Sequence, residues 1–133
     1  MKRAVVLYFT TLIVMLPLDF LFLGVIAKNF FQSQVGPLLG DVRIIPAAIF
    51  YLGYPIGIVI FASYGAGQNW QQALLYGALF GIFCYATFDL TALALLKGWT
   101  WPVTVVDIIW GAFVTGTSAT LGLLLANLVL RPD

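Results

Sequence analysis

Histidine and glutamate are absent from this chain, and cysteine occurs once. Without histidine there is no imidazole for a Ser-His-Asp triad, for a histidine-held haem, or for the commonest transition-metal ligation. The single Cys84 lies in an apolar run, has no partner for an internal disulfide, and belongs to no CxxC pair of the redox or zinc type. Charge is scarce as well. Charged residues are 8% of the 133, against roughly 25% in an ordinary soluble domain. A net charge of +1 leaves no basic face for nucleic acid and no acidic run for a disordered tail.

What is present is apolar. Hydrophobic residues make up 62% of the chain, more than a small soluble fold can hide, because small domains expose a large share of their area. The bilayer is then the solvent. A helix crosses the hydrocarbon core with about 20 mainly apolar residues, and the runs near 4–27, 44–64, 72–96 and 103–130 meet that length. The sequence therefore predicts an all-α fold, an integral membrane four-helix transmembrane bundle forming a single domain over 1–133. The start, MKR followed by AVVLYFTTLIVMLPLDFLFLGVIA, looks like a signal peptide. Its apolar run exceeds the ~7–15 residues of such a segment and ends in no clear small-x-small site, so we read it as an uncleaved first helix.

The connections have loop chemistry. Residues 28–43 carry Gly36-Pro37, with Phe30-Phe31 and Leu38-Leu39 placing the loop partly on the membrane surface. Residues 97–102 hold Trp99 and Trp101, which suit the interface. Lys2, Arg3 and Arg131 fall on one side and Lys28, Arg43 and Lys97 on the other, a tie under the positive-inside rule. The pair flanking the first helix tips the reading to both termini inside. Gly53-x-x-x-Gly57, Gly77-x-x-x-Gly81 and the small residues Ala112, Gly116, Ala119 and Gly122 offer close helix packing. Pro17 and Pro55 are expected to kink the first and second spans.

Asp19, Asp89 and Asp107 lie inside spans, and an aspartate at a helix centre costs roughly 2.5–3.5 kcal/mol on insertion scales. Their depths agree. Asp19 and Asp89 each precede the end of an odd-numbered span by about eight residues, roughly 12 Å of helix. Asp107 follows the start of the fourth span by about four residues, roughly 6 Å. Odd and even spans run in opposite directions, so all three fall in one leaflet, whichever way the protein is inserted. Tyr51, Tyr54, Tyr85, Thr91 and Trp110 reach the same level and complete the candidate binding set. Lys28, Arg43 and Lys97 lie on that side of the membrane and are candidate capping bases, since a lysine can extend from the interface. A faint echo links DFLFLGVIAK from Asp19 with DLTALALLK from Asp89, the kind of internal match seen in transporters with repeated halves.

On LDFLFLGVIAK, YATFDLTALALLKGW and TVVDIIWG, with AAIFYLGYPIGIVIF between them, the chain resembles an uncharacterised bacterial membrane family, domain of unknown function 2177. The resemblance covers nearly the whole chain. It implies a compact four-helix protein of the bacterial inner membrane with motif aspartates at Asp19, Asp89 and Asp107, and it brings no established activity, cofactor or metal.

Three functions compete. The aspartates can form an intramembrane site that binds or relays a proton, a small cation or a polar head group: crowded carboxyls share protons, and hard cations favour oxygen ligands. The chain can instead be a structural or accessory subunit of a homo-oligomer or larger membrane complex. Interhelical bonds average only ~0.6 kcal/mol, which offsets three aspartates poorly. Last, it can be a membrane enzyme acting on lipid, but no catalytic residue is identifiable, and the reading leans away from an enzyme.

Overall fold

The computed structural model describes residues 2–40, 43–67 and 69–130. Among these, four helices are long and apolar enough to cross a membrane. Helix α1 spans Lys2–Leu21 and widens into a π turn over Phe22–Ile26. A short α2, Lys28–Val35, leads through a 3-10 turn at Gly36–Leu38. Helix α3 covers Ile44–Ile58 and ends in a second π turn, Val59–Ser63. Helices α4 (Trp70–Leu95) and α5 (Trp101–Val129) complete the bundle.

Local chemistry sets the helix ends. Asn69 starts α4 by accepting the backbone N–H groups of Gln71 and Gln72 at 3.1 and 3.2 Å, relieving two of the donors left unpaired at a helix start. Thr100 and the following Pro102 do the same for α5, with Thr100 Oγ1 accepting from Val103 N at 3.4 Å. Pro17 and Pro55 are carried within α1 and α3, and each of these helices widens to a π turn a few residues later. A proline lacks the N–H that would close its turn, and local π geometry is one way a membrane helix adjusts.

Helix α5 is the axis of the bundle. Its buried face carries Val103, Thr104, Gly111, Val114, Thr115, Ser118, Gly122 and Leu123, and it packs along α4 on one side and α1 on the other. The α4–α5 contact is backbone-close: a methyl group at Gly77 would stand 2.9 Å from Ala119 Cβ, and one at Gly81 would strike the Gly111 carbonyl. On the α1 side, a methyl at Gly122 would come 3.0 Å from Thr11 Cα, and Thr10 Oγ1 donates to Gly122 O at 2.8 Å. Gly53 has open space around it, so the first glycine of the α3 pair takes no part in packing. Outside, residues such as Ile13, Ile49, Phe83 and Ile109 are exposed, as lipid-facing side chains must be.

Helix α3 is attached unevenly. It leans on α1, where Tyr8 Oη donates to Leu52 O at 2.7 Å, but its backbone approaches α4 mainly through the π turn Val59–Ser63. That end is also clamped by Arg3, whose guanidinium donates to Tyr64 O at 2.8 Å and Gly67 O at 2.7 Å. The other end of the bundle is covered by α2. Val35 is buried, Thr100 Oγ1 donates to Gln34 Oε1 at 3.0 Å, and Leu38 packs against Gly98.

Candidate functional site

The end of the bundle beneath α2 contains the three aspartates. Asp19, on the last turns of α1, is 4% exposed and accepts a hydrogen bond from Trp110 Nε1 of α5 at 2.9 Å. The indole is held flat against Phe22, ring centres 4.2 Å apart and planes 4° from parallel. Tyr51 of α3 lines the same cavity as this carboxylate and stands near it. Asp107, half-buried on α5, stands near Asp19, and its carboxyl is a neighbour of Asp89 on α4.

Asp89 has the most demanding setting. It is fully buried, and neither carboxyl oxygen has a hydrogen-bond donor among the described residues. The Trp99 indole N–H is beside it, itself buried without a partner. Two carboxyls can be joined by a hydrogen bond only when one of them carries a proton. Asp89 and Asp107 bring two carboxyl groups together between α4 and α5.

Beside this pair is a cavity of about 310 Å³ lined by Asp19, Asp107, Tyr51, Tyr54, Tyr85 and Trp110, with Leu23, Phe50, Cys84 and Phe88. Tyr54 is fixed by a 2.8 Å hydrogen bond between its hydroxyl and Thr115 Oγ1, and its ring stacks on Phe50 and Phe80. Tyr85 fits against α5 because Gly111 has no side chain; a methyl there would enter the tyrosine ring. Among the described residues, no lysine or arginine lines the cavity. Nor, among them, does any group of three or more His, Cys, Asp or Glu side chains have the arrangement to hold a metal ion.

Of the residues singled out from the sequence, Asp19, Asp107, Tyr51, Tyr54, Tyr85 and Trp110 meet at one cavity, and Asp89 lies directly behind Asp107. Trp110 serves Asp19 across the bundle rather than its own helix neighbour Asp107. Thr91 is not part of the group. It is exposed, because a position two residues along a helix points to nearly the opposite face. The capping bases also need correction: Lys28, Arg43 and Lys97 are exposed and form no ion pair among the described residues. From Lys97 back to Asp89 is about 12 Å of helix, further than a lysine stem extends. Cys84, Phe50, Phe88, Leu23, Thr115 and Trp99 were not anticipated. Leu23 and Phe88 each lie four residues after a cavity residue, Asp19 and Cys84, and that spacing is the only sequence signal they carry.

Chemically, the arrangement is an acidic pocket with aromatic walls. Carboxylates supply charge and hydrogen-bond acceptors, and the Tyr51 and Tyr85 rings, which meet their aromatic neighbours tilted or edge-on, add faces that attract cations. No curated protein and no solved structure matches the chain. A family model does match, described as Predicted membrane protein (DUF2177), and it covers residues 4–124. Nearly the whole bundle, including all three aspartates, lies within that stretch, and the chain belongs to this family of membrane proteins.

Proposed function

We propose that the protein binds an ammonium group inside the membrane, with Asp19 and Asp107 as its counter-charges. The observation that carries this reading is the cavity: about 310 Å³, two carboxylates, three tyrosines and a tryptophan, and no base in its lining among the described residues. Ligand pockets typically begin near 300 Å³, whereas a bare proton or monatomic ion needs far less room. A desolvated cation over aromatic faces gains on the order of 2 kcal/mol, and a neighbouring carboxylate adds charge pairing strengthened by the low dielectric. A second reading, a proton relay, is favoured by the closeness of Asp89 and Asp107, because neighbouring carboxyls can share a proton. We also read the chain as a bacterial inner-membrane protein, on its four apolar helices and its family likeness, with both termini inside, on Lys2 and Arg3 in the first turn of α1.

The test is native mass spectrometry of the protein released from maltoside micelles, titrated with dodecylammonium and, separately, with dodecanol of the same chain length. A one-to-one adduct with the ammonium, weakened at least tenfold in Asp107→Asn and in Asp19→Asn, is expected. Equal adducts with the alcohol, or a double Asn variant that binds like the native protein, refute the reading.

A further inference from the structure

We infer that the ligand is a membrane-resident amphiphile, an alkyl chain bearing an ammonium head, which enters sideways from the bilayer between α3 and α4. This rests on the ammonium reading above and adds the route and the chain. Three independent features of the structure support it.

First, the bundle end over the α4–α5 connection is covered. Helix α2 and the 3-10 turn after it pack over that connection, with Val35 buried, Gln34 on Thr100 and Leu38 on Gly98. Second, the side is open. The backbones of α3 and α4 run close together mainly at the π turn Val59–Ser63, on the far side of Pro55 and Ile58 from the cavity. Third, the cavity's rim is apolar and deep. Leu23, Phe50 and Phe88 are 46%, 41% and 58% exposed, yet Phe50 lies about 9 Å from the start of α3 and Phe88 about 10 Å from the end of α4 at 1.5 Å per residue. A mouth at that depth faces hydrocarbon. Inside it the cluster holds a fully buried carboxyl, Asp89, with no donor of its own among the described residues, set against the cavity-lining Asp107. A head group that donates hydrogen bonds and carries positive charge complements the inner wall, and a chain left in the bilayer complements the rim.

The experiment compares dodecylammonium with butylammonium on the protein in maltoside micelles, again by native mass spectrometry, and repeats the comparison in Phe88→Trp. Phe88 is exposed to the lipid side, so a larger ring is accommodated without disturbing the core, and unchanged helicity verifies this. The expected result is at least tenfold tighter binding of the long chain, with the ratio brought to within threefold by Phe88→Trp, which narrows the mouth. If butylammonium binds within threefold of dodecylammonium in the native protein, or if Phe88→Trp leaves the ratio intact, the lateral amphiphile is wrong although the ammonium site stands. If neither amine binds, the ammonium site itself falls.

Discussion

Replacing Gly81 with alanine, with Gly53→Ala as its companion, tests whether the α4–α5 seam holds the bundle together. An added methyl at Gly81 meets the Gly111 carbonyl and lies 2.8 Å from Thr115 Cβ, where ordinary contact begins near 3.4 Å. Gly111 has only backbone to offer, so no side-chain rotation relieves the clash and the helices must part. Overpacking costs typically ~1–3 kcal/mol, and an unyielding neighbour places this site near the upper figure. Alanine in place of glycine returns about 1 kcal/mol of helix propensity. Gly81→Ala is therefore expected to lose about 2 kcal/mol on these two terms. At Gly53 nothing stands within 4 Å of the new methyl, so only the propensity term acts and the variant gains up to about 1 kcal/mol. The two variants should differ by about 3 kcal/mol, more than a hundredfold in the folding equilibrium. Unfolding in mixed maltoside and dodecyl sulfate micelles, followed by tryptophan fluorescence, measures both on one scale. Equal stabilities for the two variants would refute the reasoning, because they share the same chemical change and differ only in what the methyl meets.

Trp110→Phe keeps the stack on Phe22 and removes the donor to Asp19. Interhelical bonds of this kind contribute ~0.6 kcal/mol on average and up to ~1.7, and a double-mutant cycle with Asp19→Asn in the same micelles should return a coupling in that range. Asn69→Ala removes the α4 cap and should destabilise the protein by about 1 kcal/mol. Faster amide exchange confined to the first turn of α4, Gln71 and Gln72 included, is the accompanying signature, and exchange that rises evenly along the helix would contradict it.

The sequence made some of this legible because membrane folding reduces to length and depth. Four spans follow from apolar run length alone, and the common leaflet of Asp19, Asp89 and Asp107 follows from a fixed helical rise and alternating direction. What run length lacks is azimuth. Which way a side chain points depends on how helices cross, so the pairing of Trp110 with Asp19 could not be told from a pairing with Asp107. Thr91 shows the same gap, because two residues along a helix turn it to nearly the opposite face from Asp89. The bases failed on reach, since Lys97 and Asp89 are separated by more helix than a lysine can cover. Helix α2 was legible only as an interfacial loop, because eight residues are too few for periodicity to distinguish a helix, and its place over the bundle end depends on contacts with residues 98–100.

The hydrogen bond between Trp110 and Asp19 joins residues 91 apart in the chain, and that separation has a consequence for biogenesis. A ribosome adding ~5–20 residues per second needs on the order of 5–20 s to make the partner after the aspartate. For that interval the first helix sits in the translocon or the bilayer with its carboxyl lacking the indole it will finally meet. The apolar residues around Asp19 must retain the helix in the membrane until α3 brings Tyr51 and, later, α5 brings Trp110. Insertion of the first span and completion of the site are thus separate events in time, and the last helix to be synthesised is the one that finishes the pocket.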